Sequence, residues 1–352
     1  MEFNLELLNM VFNITCNTDN NYAQHCCAML CSLFDNNKDH SIIVHVLTKN
    51  LSEINKTAIH KLGKKYAQNI IFHEVDETIL EGVQFRKKRP LTKAAYYRIL
   101  LPTILSQDID KVLYIDCDMI ILSNISDLFK INISSYSLAA CKDVMPYNSI
   151  HRKQLNFEMS DSSFCSGIMM INLKYWRDNN SQEKLLEFAK KPRNPIFLHD
   201  QDALNYLFKK TWFSLSPVWN KTTMAIAPLN SNCKFNDCYE YMYHPKILHY
   251  ASDLKPWFNI SFPQSHYYRY YLKLSEYPSP TFIKLSAKNY FFSKFKCVRY
   301  YLNAYIRPII PTFIELLIFD IFNLFKILFF IVTGKTGELK ALILSIWLLK
   351  NK

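Results

Sequence analysis

The sequence predicts an α/β fold, a mostly parallel sheet flanked by helices with a helical tail at its C-terminal end, and three observations carry that expectation. Strand-like and helix-like stretches alternate through the first 75 residues, the order that builds parallel sheets with right-handed crossovers. Residues 112–115, VLYI, are apolar without alternation, as in a strand covered on both faces. The last fifth changes character: from residue 281 onward eleven Lys/Arg stand against three Asp/Glu, a net +8 of the chain's +12.

In order, residues 11–16 read as a first strand and residues 17–25 as the loop leaving it. Residues 26–34 have the apolar spacing of a helix packed on a sheet, and 41–47 form a second strand. Residues 52–66 make an amphipathic helix opened by Ser52 as N-cap, before a third strand at 70–75. Residues 92–101 are predicted helical, ending before Pro102. Strands follow at 137–141 and 166–176, with a polar, irregular stretch at 144–163 between them. A helix at 181–190 precedes LHDQDALNYLF at 198–208, a second helix whose start Asp200 can cap. Residues 246–257 read as a strand running into a loop.

A length of 352 residues accommodates one large domain with an appendage, or two domains, with the division placed here at 1–265 and 266–352, and 49% hydrophobic residues exclude a mostly disordered chain. With only 5 glycines there is neither a G-x-G-x-x-G nor a P-loop, so any nucleotide must be held by a metal, side chains and ordinary backbone. The ten cysteines are scattered, without the paired C-x-x-C spacing of a zinc site. The N-terminal stretch lacks a basic region and a cleavage site, which predicts a cytoplasmic location, reduced thiols and no glycan at Asn13, Asn124 or Asn259.

The stretch that organises the chain is KVLYIDCDMIILSNISDLF, residues 111–129. Asp116 and Asp118 follow the apolar strand. Residues two apart at the end of an extended segment point the same way, so both carboxylates face one crevice and Cys117 the other side. Ligands of open parallel sheets bind just beyond the carboxyl ends of the strands. Adjacent carboxylates repel unless a cation neutralises them, and oxygen ligands favour Mg2+ or Mn2+. Taken alone, the pattern equally fits a solvated Asp-x-Asp turn. A haloacid-dehalogenase phosphatase also ends a strand this way, but it expects Thr or Val where Ile120 stands.

Six blocks in order, TDNNY, AAYYRILLP, KVLYIDCDMIILSNISDLF, SGIMMINLKYW, HDQDALN and HYASDLKPW, spread over residues 11–257, make the chain resemble the family 8 glycosyltransferases, especially the bacterial lipopolysaccharide galactosyl- and glucosyltransferases. The resemblance implies a GT-A fold, a UDP-hexose donor (UDP-galactose or UDP-glucose), Mn2+ as the cofactor with Mg2+ as the second candidate, and retention of anomeric configuration. It places Asp116, Asp118 and His249 on the metal. Asp19, Asn21 and Tyr22 match the loop that holds uridine, with the Tyr ring stacked on the base. Lys255 matches the diphosphate lysine, whose compact ammonium offsets charge on the departing UDP. Arg98 and Asp143 match contacts to the transferred sugar, Cys117 and Ser252 lie in donor-binding blocks, and Asp200 and Gln201 match the catalytic pair beneath the anomeric carbon. Read without the resemblance, His249 fits a packed histidine, Asp200 an N-cap and Arg98 a structural ion pair. Two positions depart from the family: Cys165 stands where many relatives have Asn, and Ser252 where a Gly is common.

Residues 266–307 interleave aromatics with Lys and Arg, a composition suited to the headgroups of an anionic membrane or to stacking on nucleic acid. The next segment favours the membrane. In residues 308–332, Thr312, Glu315, Asp320, Asn323 and Lys326 fall within an arc of roughly 140° on a helical projection, leaving a broad apolar face. Asp320 and Lys326 would each be costly at a bilayer's centre, so such a helix lies in the interface, and the run at 339–349 is too short to span. The sequence therefore predicts a metal-dependent hexosyltransferase, peripheral on the inner face of the cytoplasmic membrane. It would serve a lipid-linked saccharide acceptor such as lipopolysaccharide or lipooligosaccharide core, with no nucleic-acid partner. The alternative is a non-catalytic, membrane-associated nucleotide-sugar or saccharide-binding protein.

Overall fold

A computed structural model describes residues 10–85, 92–144, 147–192, 196–223, 235–251, 254–258, 262 and 264–301. Its centre is a seven-stranded sheet in the spatial order Asn69–Glu74, Ser41–Thr48, Val11–Asn17, Lys111–Ile115, Phe164–Asn172, Leu138–Lys142, Trp212–Leu215. The first three strands are β1 (Val11–Asn17), β2 (Ser41–Thr48) and β3 (Asn69–Glu74). They are parallel, with β4 (Lys111–Ile115) added alongside β1. The strand β7 (Phe164–Asn172) runs antiparallel to β4 and to β6 (Leu138–Lys142), while β8 (Trp212–Leu215) lies parallel to β6. A smaller sheet, β5 (Met119–Ile121), β10 (Ile247–His249) and β9 (Lys221–Thr222), stands beyond the acidic turn.

This topology gathers chemistry at one edge. The parallel strands β1 and β4 end there, antiparallel β7 begins there, and β6 ends there just before Asp143. The loop after β1, the turn after β4, residues Cys165 to Gly167 and Asp143 therefore face a common crevice, where open α/β sheets bind ligands.

The helices form for the reasons the sequence gives. In the helix Glu53–Lys65, Ser52 caps the first turn by accepting from the Asn55 backbone N–H at 3.4 Å, and Lys64 and Lys65 sit at the negative C-terminal end. The helix Ala23–Asp35 is buried along almost its whole length, because β5 and the helix Glu53–Lys65 cover part of it and the helix Ser265–Leu274 covers another. That last contact ties residues beyond 265 to the N-terminal helix. Tyr268 donates to or accepts from His25 Nδ1 at 2.6 Å, Asn36 Nδ2 donates to the Tyr271 hydroxyl at 2.9 Å, and Gln24 Nε2 donates to the Thr281 carbonyl at 2.8 Å. The first compact unit runs Met1–Lys294, and Phe295–Lys352 forms a second.

Two local expectations also change. The helical run does not stop at Pro102: a 3-10 segment, Lys93–Leu100, passes into a short α-helix, Leu101–Ile104, where proline's missing N–H costs nothing in a first turn. The strand predicted through residue 176 ends at Asn172, whose side chain accepts from the Tyr175 N–H and starts a helix, Leu173–Asp178. Among the described side chains no cysteine is in a disulfide, and among the described residues no helix is long and apolar enough to cross a membrane. The interfacial helices predicted at 308–332 and 339–349 lie outside the described residues.

Candidate active site

The acidic turn is held from both sides. The Asp116 N–H donates to the Gly167 carbonyl at 2.8 Å, and the Tyr250 N–H donates to the Asp118 carbonyl at 2.9 Å. Antiparallel pairing of His249 with Met119 brings the imidazole beside Asp118. One ligand atom each from Asp116, Asp118 and His249 lies within 4.8 Å of the others. The ring's other nitrogen is occupied: His249 Nδ1 lies 2.9 Å from Asn220 Oδ1, which can only accept, so the proton belongs on Nδ1 and Nε2 is the atom turned to the carboxylates. An oxygen, oxygen, nitrogen donor set of this kind fits a divalent first-row ion such as Mn2+.

Gly167 is needed for this convergence. A Cβ there would meet His249 Cε1 at 2.5 Å, Met119 Cε at 2.7 Å and Asp116 Oδ2 at 3.1 Å, so any larger residue would push two of the three donors aside. Cys165, two residues earlier, places its sulfur 3.8 Å from His249 Nδ1 at the rim of the same group.

Cations flank the carboxylates. Arg98 is buried, with Nη2 donating to Asp116 Oδ1 at 2.7 Å and Nη1 to the Ser166 carbonyl at 2.7 Å. Its plane lies 4.1 Å over the Tyr114 ring, and the Tyr114 hydroxyl donates to the same Asp116 oxygen at 2.6 Å. Lys255 Nζ donates to Asp118 Oδ2 and to the Tyr250 carbonyl, both at 2.7 Å. Burial alone would raise the Asp118 pKa, but Lys255 and His249 outweigh it and hold the carboxyl well below the usual range. Burial likewise opposes charge on His249, yet the Asp118 carboxylate wins and pushes the imidazole up to about 10.

Asp200 and Gln201 form the opposite wall at the start of the helix Asp200–Phe208. Asp200 was expected to cap this helix; instead the chain turns at His199, with φ 52°, and Asp200 is the first helical residue with its carboxylate buried. Asp200 Oδ2 lies 3.2 Å from Arg98 Nε but out of line for a hydrogen bond, which leaves that oxygen without one. Burial, only partly offset by Arg98 and reinforced by Asp116, pushes the Asp200 carboxyl up to about 6. Gln201 is fully engaged. Its Nε2 donates to Asp143 Oδ2 at 2.7 Å and to the Tyr147 hydroxyl at 3.0 Å, and its Oε1 accepts from the Ser166 N–H at 3.0 Å.

The loop after β1 closes the crevice. Asp19 Oδ1 accepts from the N–H groups of Asn21 and Tyr22 at 2.9 and 3.0 Å, which shapes the turn by itself. Tyr22 is 38% exposed and meets Trp257 and His25 in T-shaped contacts, while His25 stacks on Trp257 at 3.6 Å. The Cys117 side chain does not join this surface. It is 6% exposed, and its thiol donates to the Asn17 carbonyl at 3.1 Å on the core side, so Cys117 can serve the crevice only through its backbone. Ser252 lies outside the described residues.

The structure thus brings together Arg98, Asp116, Asp118, Asp143, Asp200, Gln201, His249 and Lys255, with the Asp19 to Tyr22 loop alongside. Sequence reasoning missed Tyr114, Tyr147, Ser166 and Asn220, which orient these groups. Tyr114 was within reach, since it stands two residues before Asp116 on an extended strand and so on the same face.

Residues 13–261 match the profile of Glycosyl transferase family 8. The chain is 31% identical over 278 residues to General stress protein A of Bacillus subtilis, covering 76% of this chain and 95% of that protein. It is 25% identical over 273 residues to the lipopolysaccharide 1,3-galactosyltransferase of Salmonella typhimurium, covering 73% and 76% of the two chains. Among solved structures, the galactosyltransferase LgtC in complex with donor and acceptor sugar analogs superposes with a TM-score of 0.66 at 23% identity, covering 77% of this chain and 97% of that one. The shared fold is GT-A, a mixed α/β architecture around a mostly parallel sheet. The chain belongs to glycosyl transferase family 8.

Proposed function

We propose that this glycosyltransferase moves galactose or glucose, with retention of configuration, from a UDP-sugar to a lipopolysaccharide-type acceptor at the inner face of the cytoplasmic membrane. The observation that carries the reading is the meeting of Asp116, Asp118 and His249 at one point of the crevice, with Lys255 on one side and Asp200 on the other.

Asp116, Asp118 and His249 Nε2 would hold the metal. Mn2+, when bound, supplies the positive charge that neutralises the donor's diphosphate. Lys255, freed from Asp118, offsets the negative charge that grows on the leaving UDP. Asp19, Asn21 and Tyr22 position the uridine, the phenol face by stacking and the loop by its hydrogen bonds. Arg98, Asp143 and the rigid Gln201 amide orient the sugar. Asp200 is the better candidate for stabilising charge at the anomeric carbon, because its Oδ2 accepts no hydrogen bond whereas both polar atoms of the Gln201 amide are committed. The acceptor hydroxyl attacks from the leaving-group side.

Residues 266–352 supply the peripheral attachment, through basic and aromatic side chains and the amphipathic run at 308–332. Thr281 and Ile283 bond to Gln24 and Trp257, so a truncation that spares the donor loop must begin beyond them. A chain ending at residue 301 should bind anionic vesicles more weakly while keeping its fold; unchanged sedimentation with vesicles would show that the amphipathic run at 308–332 does not contribute.

The function is tested by incubating the protein with UDP-galactose, UDP-glucose, UDP-N-acetylglucosamine and GDP-mannose, with Mn2+ and without acceptor. One UDP-hexose should slowly release UDP. Release of GDP alone, or of nothing with any donor, would overturn the reading.

A further inference from the structure

Beneath the acidic turn lies a second group of side chains that sugar transfer leaves unused. Cys16 on β1, Cys26 on the helix Ala23–Asp35 and Cys117 in the turn bring their sulfurs within 4.8 Å of one another. Their exposures are 0%, 0% and 6%. The Cys16 and Cys26 sulfurs are 3.8 Å apart. An ion bonded to thiolate sulfur at about 2.3 Å holds its sulfur ligands roughly 3.8 to 4.0 Å apart in tetrahedral or trigonal geometry. That pair already stands at a metal's bite.

We propose that Cys16, Cys26 and Cys117 form a binding site for a thiophilic ion such as Cu+, Zn2+ or Cd2+, separate from the oxygen-rich group above it. Sulfur donors select soft ions where the carboxylates of Asp116 and Asp118 select hard ones, so one turn presents two chemically distinct sites on its two sides. Each thiol that ligates gives its proton to solvent. The three ligands come from a strand, a helix and a turn, so their convergence is set by tertiary structure. Of the three, Cys117 alone has any exposure. A bound ion ties the turn carrying Asp116 and Asp118 to β1 and to the helix behind it, and so restrains both carboxylates.

The competing place for such an ion is Cys165 with His249, 3.8 Å apart in the crevice itself. The test is Cd2+ titration of the reduced, full-length protein, read by sulfur-to-cadmium charge-transfer absorption and by X-ray absorption at the cadmium edge. The wild-type chain should bind one equivalent with three sulfurs in its first shell, and Cys165→Ser and Cys141→Ser should do the same. Cys16→Ala and Cys26→Ala should each weaken that binding by at least tenfold. Loss of the signal in Cys165→Ser, or its persistence at full strength in Cys16→Ala and Cys26→Ala, would overturn the proposal. Should the alanine variants fail to fold, the wild-type shell decides: three sulfurs support the site, and two or fewer with nitrogen or oxygen overturn it.

Discussion

Lys255 Nζ stands 2.7 Å from Asp118 Oδ2, so the residue proposed for the diphosphate is held by one of the proposed metal ligands. The ammonium takes the place that a cation's charge would fill, and the two compete for one carboxylate. Replacing Lys255 with Ala removes the competitor and the diphosphate partner together. Mn2+ binding in the absence of nucleotide should tighten several-fold, measured by the free-ion EPR signal. Turnover should meanwhile fall about 10²-fold or more, as when one donor to developing negative charge is removed. Weaker Mn2+ binding in the variant would show that Lys255 supports the site and does not compete for it.

Gly167→Ala tests how tightly the three donors are packed. The new methyl group would press on His249, Met119 and Asp116 at distances no real Cβ tolerates against the first two. Overpacking of this kind costs about 1–3 kcal/mol, which should appear as a lowered Tm. Mn2+ affinity should fall with it, because the methyl lies between two of the proposed ligands. Normal Mn2+ binding would mean that the crevice can open without loss.

Asp200 makes stability and activity depend on pH in opposite directions. Its carboxyl is raised from the usual 3.8 to about 6, so the folded protein holds this proton more tightly than the unfolded chain does. Its contribution is fully present below about pH 4 and is lost as pH rises through about 6. About two units correspond to roughly 2–3 kcal/mol. Asp200→Asn should therefore melt higher than wild type at pH 7 while losing most transfer activity, and wild-type activity should rise through about pH 6 as the carboxylate forms. Equal melting temperatures at pH 7 would show that Arg98 already balances the charge.

Much of this crevice was legible in the sequence because its parts are local. The apolar strand before Asp116, the turn after it and the Ser52 cap all follow from patterns a few residues long. The end of β7 was not, since SGIMMINLKYW carries no Pro and no late Gly to mark where strand becomes helix, and only the Asn172 side chain reveals the switch. Asn220 lies 29 residues from the His249 ring it orients and belongs to none of the recognisable blocks. The sulfur group was equally hidden: Cys16, Cys26 and Cys117 have no metal-like spacing along the chain, and only the pairing of β1 with β4 brings them together. The packing of the helix Ser265–Leu274 was hidden for a related reason. Tyr268 and Tyr271 look like surface aromatics in a basic stretch, but they pack against a helix more than two hundred residues earlier.

If Asp116, Asp118 and His249 join a divalent ion to a nucleotide's diphosphate, UDP binding depends on that ion. The measurement is calorimetric titration of UDP into the wild-type protein and Asp118→Asn, each with and without Mn2+. Mn2+ should tighten UDP binding to the wild-type chain by tenfold or more and have no effect on the variant. Equal UDP affinity with and without Mn2+ in the wild-type chain, or an undiminished Mn2+ effect in Asp118→Asn, would contradict that arrangement.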